Sequence, residues 1–280
     1  MTVITSSANP AVKAARKLAR RHGRARSGDA FVVEGPQAVA EAVPFLQQLF
    51  VAAEHGRDDI VAAAQERGVE IVTVTERVLA DIATTVTPQP LVGVAMLPEP
   101  SLETVVAGAR LLVVLDQVRD PGNAGTALRT ADAAGADGVI FSRGSVDPRN
   151  PKAVRSSAGS LFHLPVVNDV AFSEIAHACH EHGITLVATA ADATMAYTDA
   201  DLGGRIALVL GNEAHGLSAH VQASCDVQVR VPQLRQPRAG YEGVAESLNL
   251  ATTVAILTYE AVRQHDVRSA AVTPTAPATR

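Results

Sequence analysis

Two polar side chains, Asn123 and Arg129, stand out in a segment that is otherwise small and apolar. Arg129 follows Asn123 by six residues, so its guanidinium, on the first turns of a helix, can reach back over the preceding loop. A guanidinium holds an anion such as phosphate through paired hydrogen bonds. The spacing therefore suggests a loop that receives a polar, anionic ligand. In the alternative interpretation, Asn123 caps the helix and Arg129 is a solvated charge.

The elements that must position this pair form a βαβ unit. The apolar run Leu111–Leu115 predicts a strand buried on both faces, and Gly138–Phe141 predicts a second strand. Between them, turn-forming residues lead into a predicted helix at Ala124–Ala134. Ligands of such units bind in the crevice outside the carboxyl ends of the strands, which is where Asn123 and Arg129 fall.

Three more apolar runs predict strands in the carboxyl-terminal half, at Ile184–Thr189, Arg205–Leu210 and Val227–Val231. Two crossovers of this kind imply a mostly parallel sheet. The segment GNEAHGLS, residues 211–218, follows the second of these strands and puts a carboxylate and two glycines at a strand end. His215 in this segment has no placed partner, and we interpret it as structural or solvated.

The same half contains helices predicted at Pro148–Ser160, Asn168–His182 and Leu250–Arg263. The first of them is polar and small enough to face a ligand or a partner. A loop rich in charge and turn formers precedes the last helix and contains Arg235 and Arg238.

Short strands and helices alternate over residues 31–97, which predicts a small α/β domain before a proline-containing linker. We therefore predict an N-terminal domain at residues 1–98, a second domain at residues 105–268 and a disordered tail at residues 269–280. The predicted strands of the first domain are Phe31–Val33, Leu49–Ala53, Glu70–Val74 and Val92–Met96, and its predicted helices are Gln37–Val43, Arg57–Arg67 and Thr75–Ala83.

Composition narrows the class of protein. The chain has 280 residues, of which 47% are apolar and 19% charged, as in ordinary soluble proteins of two domains or one large one. No apolar run approaches the roughly 18 residues that span a bilayer, and the N-terminus lacks a hydrophobic signal region, so we expect a cytoplasmic protein. Cys179 and Cys225 form no CxxC pair, which argues against a zinc site or a disulfide framework and favours buried thiols.

The net charge of −5 hides a basic N-terminus, because residues 1–27 contain seven basic side chains and no acidic one. Asn9 and Pro10 predict the start of a helix that carries most of these charges. A charge run of this kind is often only a solvated face. A helix with so much charge of one sign repels itself, however, so RNA is a reasonable partner. The predicted RNA contacts on this helix are Lys13, Arg16, Lys17, Arg20 and Arg21.

Three segments carry a family resemblance: PGNAGTALRTADAAGADGVIF, LVLGNEAHGLS, and VP followed by ESLNLATTVAILTYEA. In order and spacing they resemble the three motifs of the SpoU/TrmH-type RNA ribose 2′-O-methyltransferases of the SPOUT superfamily. The N-terminal segments ITSSANPAVKAARKL and FVVEGPQAVAEA resemble the substrate-binding domain of many members that act on ribosomal RNA. The resemblance covers nearly the whole chain.

The resemblance implies an α/β protein whose C-terminal SPOUT-type domain is threaded as a trefoil knot, with a smaller N-terminal α/β substrate-binding domain. It also implies S-adenosylmethionine bound in the knot, an RNA substrate, and a homodimer through the C-terminal domain, with no membrane and no metal. Matched by motif position, the cofactor would lie against the backbone at Thr189, Ala190, Gly211, Val231 and Leu248. The catalytic and substrate-positioning set would be Asn123, Arg129, Glu213, Ser247 and Asn249.

The chemistry agrees with these residue types. Moving a methyl group from a sulfonium to a ribose 2′-oxygen is an in-line displacement, helped by alignment and by removal of the hydroxyl proton. Because arginine stays protonated in proteins, our hypothesis is that Arg129 anchors the target phosphate and passes a proton through it. Glu213 and Asn123 would then orient Arg129 and the ribose. The long loop with Arg235 and Arg238 would be a further RNA contact or a lid.

Three alternatives remain at this stage. A transfer-RNA target is one, although the N-terminal resemblance favours ribosomal RNA. A dinucleotide-binding oxidoreductase is disfavoured, because PGNAG lacks the GxGxxG spacing and no acidic residue follows the second strand at residues 141–143. An inactive RNA-binding SPOUT relative is disfavoured because all five polar motif residues are present.

Overall fold

A computed structural model describes residues 3–20, 28–54, 56–233 and 247–272 of the chain. Three predicted RNA contacts, Arg21, Arg235 and Arg238, lie outside these residues, as does most of the predicted tail. Within the described ranges, no helix is both long enough and apolar enough to cross a bilayer.

The N-terminal elements confirm the predicted α/β pattern. A four-stranded sheet has the order β1-β4-β2-β3, with β2 and β3 parallel and β4 antiparallel to both β1 and β2. Each of the four strands and three helices predicted here is present; the strand Glu70–Val74 has the predicted bounds, and the others have shifted ends. In chain order the elements are α1 (Pro10–Ala19), β1 (Phe31–Glu34), α2 (Pro36–Ala42), β2 (Leu46–Ala52), α3 (Asp58–Glu66), β3 (Glu70–Val74), α4 (Glu76–Ile82) and β4 (Leu91–Ala95).

The basic helix α1 begins where the sequence predicts. Asn9 accepts a hydrogen bond at 2.9 Å from the backbone N–H two residues on, and Pro10 occupies the first helical position. Val12, Ala15 and Ala19 are buried on its inner face and pack with the apolar side chains of the sheet. The basic residues are therefore left on the outer face.

The rest of the chain builds a seven-stranded sheet. Its strand order is β7-β6-β5-β10-β8-β11-β9, and the five neighbouring pairs from β6 to β9 are parallel, as predicted. The elements are α5 (Leu102–Gly108), β5 (Leu111–Leu115), α6 (Pro121–Ala133), β6 (Gly138–Ser142), α7 (Pro151–Ser156), β7 (Val166–Val170), α8 (Phe172–Glu181), β8 (Thr185–Thr189), β9 (Met195–Ala196), β10 (Ile206–Leu210), α9 (Ala219–Ala223), β11 (Val227–Arg230) and α10 (Leu250–Val272).

The centre of this sheet explains why the apolar runs are continuous. Every residue of β5 and β10 is buried, and β10 lies between β5 and β8. Strands in this position are covered on both faces, so they need no alternation of apolar and polar residues. Because the strands are parallel, the carboxyl ends of β5, β8, β10 and β11 all lie at one edge of the sheet.

Four boundary predictions are wrong. The helix predicted from Asn168 begins at Phe172, because Val166–Val170 is a strand at the sheet edge. The predicted helix Pro148–Ser160 is reduced to α7, because Asn150 caps its start and both Ala158 and Gly159, just beyond its end, adopt a positive φ of 50° and 105°. Helix α6 begins at proline 121 rather than at Ala124, and α10 continues to Val272, into the predicted tail.

The chain packs into two compact units. The first contains the residues up to Pro100 together with Asp120–Arg129 and Val146–Val166. The second contains Ser101–Arg119, Thr130–Ser145 and the residues from 167 onward. The start of α6 and the whole of α7 thus pack with the N-terminal elements, and α7 contacts β1. The domain limits at residues 98 and 105 stay a prediction.

Candidate active site

A cleft lies outside the carboxyl ends of β8 and β11, in the second compact unit. It holds about 500 Å³ of empty space, part of which is open solvent. Six of its eleven described lining residues are apolar, and the other five are polar or charged. The described lining residues are Thr189, Ala190, Ala191, Val229, Arg230, Val231, Gln233, Ser247, Leu248, Thr253 and Leu257.

The pairing of β8 with β11 forms the floor of this cleft. Val229 of β11 lies opposite Thr189 of β8, and the backbone N–H of Ala190 donates to the Val229 carbonyl at 3.0 Å. The Thr189 hydroxyl donates to the Val209 carbonyl on the other neighbouring strand, at 3.2 Å. The two chain segments that leave these strands are thereby held side by side. The first turns of α10 also line the cleft, through Thr253 and Leu257.

Five of the ten residues that the resemblance assigns to cofactor and catalysis line this one cleft. They come from three separate segments of the sequence: Thr189 and Ala190 after β8, Val231 after β11, and Ser247 and Leu248 before α10. An apolar lining with a few polar groups suits a ligand that has a flat ring and a polar chain, so S-adenosylmethionine fits the residues present.

Arg230 gives the cleft its charge. It ends β11, and its Nε is buried from solvent with no hydrogen-bond partner among the described residues. Buried N–H groups are rarely left without a partner, and this one belongs to a group that is always charged. Of the described residues that line the cleft, it is the one with an ionised side chain.

Gly211 lies at the end of β10, outside the lining of the cleft. It is packed so tightly against the turn that follows that a Cβ atom there would lie 2.3 Å from the carbonyl carbon of Gly216 and 2.4 Å from the backbone nitrogen of Leu217. The backbone groups of Asn212 and Gly216 pair across this turn at 3.2 and 2.8 Å. A glycine is thus required here by close approach of backbone to backbone.

The loop after β10 also holds the loop after β5. The Asn212 side-chain amide donates to the Gln117 carbonyl at 2.9 Å, and Glu213 accepts a hydrogen bond from the backbone N–H of Arg119 at 3.3 Å. Asn212 also accepts from the backbone N–H of Ala214 at 2.9 Å, which fixes its own orientation. Asn212 and Glu213, which are neighbours in the loop after β10, therefore hold the backbone of the loop after β5.

A buried carboxyl group supports the base of the loop after β5. Asp116 is 3% exposed, and the Ser142 hydroxyl donates to its Oδ1 at 2.6 Å. The same hydroxyl accepts from the backbone N–H of Gln117 at 3.1 Å. Gln117 has a positive φ of 52°, an uncommon conformation for this residue type. Burial raises the pKa of Asp116 above 3.8, although the Ser142 hydrogen bond opposes this.

Asn123 and Arg129 lie on α6, in the first compact unit, and Arg129 is exposed. The helix is capped by Asp120, whose Oδ1 accepts from the Asn123 backbone N–H at 2.8 Å, so the interpretation that Asn123 provides the cap is wrong. That hydrogen bond, followed by the ion pair with Lys152 at 3.0 Å, holds the pKa of Asp120 below its ordinary value.

The start of α6 packs closely against α7. A Cβ atom at Gly125 would lie 2.1 Å from the hydroxyl of Ser156 and 2.3 Å from the carbonyl oxygen of Ala153. The Ser156 hydroxyl also contacts the proline 121 carbonyl at 3.2 Å. The polar segment predicted to face a ligand is therefore in part a support for α6.

Asn249 caps α10 in the second compact unit. Its Oδ1 accepts from the backbone N–H groups of Ala251 and Thr252 at 2.9 and 3.3 Å. Ser247 and Leu248 precede it and are exposed at the cleft. The catalytic roles of Asn249 and Ser247 stay predictions.

The basic face of α1 is exposed in the first compact unit. Lys13, Lys17 and Arg20 are exposed and Arg16 is half-buried. One guanidinium nitrogen of Arg20 donates to the Asp81 carbonyl at 3.4 Å. The other side chains leave a positive surface on which RNA phosphates can bind.

Three residues that shape the site were not singled out in the sequence. Asp120 carried a signal, because Asp-Pro is a frequent helix start. Asn212 lies inside a recognised motif, but nothing showed which backbone group it would bind. Arg230 had no signal at all, since it is one of 24 lysines and arginines and its position at the cleft follows only from strand pairing.

The fold and the cleft together define a class. A parallel α/β sheet with a cleft outside the carboxyl ends of its strands is typical of enzymes that bind a nucleoside-type cofactor. Residues 110–259 match the model of the SpoU rRNA Methylase family, and residues 9–93 match the MRM3-like substrate binding domain. The chain belongs to the SpoU rRNA methylase family.

Individual relatives agree over nearly the whole length. The 23S rRNA (guanosine(2553)-2′-O)-methyltransferase RlmP of Bacillus subtilis is 34% identical over 261 residues, which are 92% of this chain and 98% of that protein. The AdoMet-bound rRNA methyltransferase from Sinorhizobium meliloti is 30% identical with a TM-score of 0.79, covering 94% and 97% of the two chains. The SpoU methyltransferase AviRb from Streptomyces viridochromogenes, in complex with AdoMet, is 29% identical with a TM-score of 0.78, covering 92% and 100%.

Proposed function

We propose that this protein is an RNA methyltransferase that uses S-adenosylmethionine to methylate a ribose 2′-hydroxyl in ribosomal RNA. The observation that carries the proposal is the cleft at the ends of β8 and β11, which gathers residues from three segments of a chain that belongs to the SpoU rRNA methylase family. A relative of nearly equal length is named a 23S rRNA 2′-O-methyltransferase, and two solved relatives bind AdoMet. Ribosomal RNA is favoured over transfer RNA by the same names.

The cofactor would be held by the backbone around Thr189, Ala190, Val231 and Leu248, with the apolar side chains of the cleft covering its ring. When bound, S-adenosylmethionine supplies a methyl group on a sulfonium, ready for in-line displacement. The protein then has to hold the ribose oxygen in line and remove its proton. No metal is needed for this step.

We propose that Arg129 binds the phosphate next to the target ribose. Its exposure on α6 supports this role, because a phosphate can reach the guanidinium from solvent. Asn123 orients the ribose or Arg129 from the same helix, and Glu213 acts with Asn249 and Ser247 from the loops of the second unit. The proton of the 2′-hydroxyl leaves through the phosphate that Arg129 holds.

The exposed face of α1 binds the phosphates of the RNA. Lys13, Lys17 and Arg20 supply the positive charge, together with Arg16 and the undescribed Arg21. Contacts of this kind position an RNA and carry little sequence information.

We also propose a homodimer through the C-terminal domain, a trefoil knot in that domain, and work in the cytoplasm. Tyr259 and Val267 on α10 are 52% and 59% exposed, so a second copy that packs on this helix would cover apolar surface. Light scattering of the purified protein should give twice the mass of 29.1 kDa. A monomer at micromolar concentration would contradict the dimer.

The proposal is tested with tritiated S-adenosylmethionine and unmodified 23S rRNA transcripts. We expect label at one nucleotide whose 3′-phosphodiester resists alkaline hydrolysis, since that cleavage needs a free 2′-hydroxyl. A transcript with a 2′-deoxynucleotide at the mapped position is the control and should accept no label. Label in a base, label in transfer RNA alone, or cofactor binding without transfer to any RNA would each refute the proposal.

A further inference from the structure

Arg230 carries a charged group with one buried donor that has no partner among the described residues. It lies at the carboxyl end of β11, where it pairs with Ala196 of β9, and it is one of the residues that line the cleft. Its Nε has no hydrogen-bond partner among the described residues and is buried from solvent. A guanidinium has hydrogen-bond donors only and stays protonated in proteins, so burial does not neutralise it.

Two other shielded arginines in the described part of the chain donate hydrogen bonds through their guanidinium groups. Arg205 donates to the carbonyl oxygens of His182 at 2.7 Å, Ala109 at 2.8 Å and Ala107 at 3.0 Å. The Nε of Arg149 donates to Asp147 at 3.1 Å. The fold therefore satisfies the arginines it buries for structural reasons. Arg230 differs in that the residue lines an open cleft while its Nε has no hydrogen-bond partner among the described residues.

We propose that Arg230 binds the carboxylate of the methyl donor's amino-acid chain, an inference that rests on the proposed function. S-adenosylmethionine carries two cationic groups, the sulfonium and the ammonium, and one anionic group. A guanidinium repels the first two and attracts the carboxylate, to which it donates charge-assisted hydrogen bonds. The rest of the described lining is neutral, so the carboxylate has no competing ionised side chain there.

The proposal also assigns an orientation to the cofactor. Its amino-acid chain would point to Arg230 at the end of β11, and its ring would lie toward the apolar side chains of Leu248 and Leu257, which line the same cleft. Arg230 is thus a binding and specificity residue. It selects a cofactor that retains its carboxylate.

The test compares two ligands that differ in one group. Calorimetry measures the affinity of wild-type protein and of the Arg230→Met variant for S-adenosylmethionine and for decarboxylated S-adenosylmethionine. Methionine keeps much of the apolar stem and removes the donors. We expect Arg230→Met to weaken S-adenosylmethionine about 10- to 100-fold, the loss typical of a charged hydrogen bond, and to change the decarboxylated ligand less than about threefold. Arg143, an exposed arginine after β6, gives the control Arg143→Met, which should change neither affinity.

Stability without ligand gives a second, independent measurement. Arg230→Met removes a buried donor without a partner, so we expect the variant to unfold at the same temperature as wild type or at a higher one. A lower unfolding temperature would mean that the guanidinium has a structural partner and would overturn the inference.

The remaining outcomes separate the two proposals. If wild-type protein binds no S-adenosylmethionine, the proposed function fails. If it binds but Arg230→Met weakens both ligands equally or neither, the function stands and this inference is wrong. If the variant instead loses RNA affinity alone, Arg230 contacts a phosphate and the inference is again wrong.

Discussion

Replacing Gly211 by alanine should open the turn that follows β10. A Cβ atom at this position would lie 2.3, 2.4 and 2.5 Å from three backbone atoms of Gly216 and Leu217, whereas non-bonded carbon atoms prefer about 3.5–4.0 Å. Relief requires the two backbone segments to separate by about 1 Å, because backbone atoms cannot rotate away as a side chain can. The hydrogen bonds between Asn212 and Gly216, at 3.2 and 2.8 Å, would be lost or lengthened.

Overpacking of a fixed interior costs about 1–3 kcal/mol, and the involvement of backbone on both sides puts Gly211→Ala near the upper end. Urea unfolding followed by circular dichroism should therefore show a free energy of unfolding lower by about 3 kcal/mol. The matched control is Gly108→Ala at the end of α5, where a Cβ atom meets nothing within 4 Å. We expect this control to be neutral or more stable by up to about 1 kcal/mol.

The functional effect of Gly211→Ala follows from what the turn carries. Glu213 moves with it, so methylation should fall further than the affinity for S-adenosylmethionine, since Gly211 is outside the cleft lining. A variant as stable as the Gly108 control would refute the packing argument. A stable variant that loses cofactor affinity alone would instead support direct contact between Gly211 and the cofactor.

Three further predictions concern charge. The double variant Lys13→Glu and Lys17→Glu should weaken RNA binding and reduce the slope of its salt dependence by about one unit per lost phosphate contact. Fluorescence anisotropy measures both quantities, with the exposed Arg67→Ala as the control. An unchanged slope would contradict phosphate binding by α1. Asp116→Asn should become more stable relative to wild type as pH rises above 3.8, because the raised pKa of Asp116 means that its ionised form destabilises the folded state. Urea titrations at several pH values measure this difference, and equal pH profiles for the two proteins would contradict it. Arg129→Ala should lower the single-turnover methylation rate about 100-fold or more while cofactor affinity in calorimetry stays within about threefold; near-normal single-turnover methylation would contradict its phosphate role.

The parts of the fold that could be predicted are those whose local sequence pattern is enough to specify the structure. The runs Leu111–Leu115 and Ile206–Leu210 are central strands buried on both faces, so apolar residues are consecutive and the pattern is clear. The start of α1 is equally local, because Asn9 and Pro10 fix it without help from distant residues.

The parts that could not be predicted depend on contacts between distant residues. Val166–Val170 lies at the sheet edge with only one of its five residues buried, so its polar residues look like the start of the helix that follows. Residues 121–123, which precede Ala124, belong to α6 because Asp120 caps the helix ahead of them. Their types, proline, glycine and asparagine, also fit a loop. The packing of α6 against α7 depends on a missing side chain at Gly125, which no local pattern reveals.

The site follows the same division. A motif gives the identity of Asn212 and Glu213, whereas the structure gives what they bind, namely the Gln117 carbonyl and the Arg119 backbone N–H. Two polar side chains at the end of β10 thus fix the loop that leaves β5. Any change in that turn should therefore be transmitted to the loop, even when the substituted residue touches neither cofactor nor RNA. The tight packing of Gly211 and the role assigned to Glu213 therefore depend on each other. The Glu213 carboxylate keeps its hydrogen bond to the Arg119 backbone N–H only while the turn after Gly211 keeps its packed conformation.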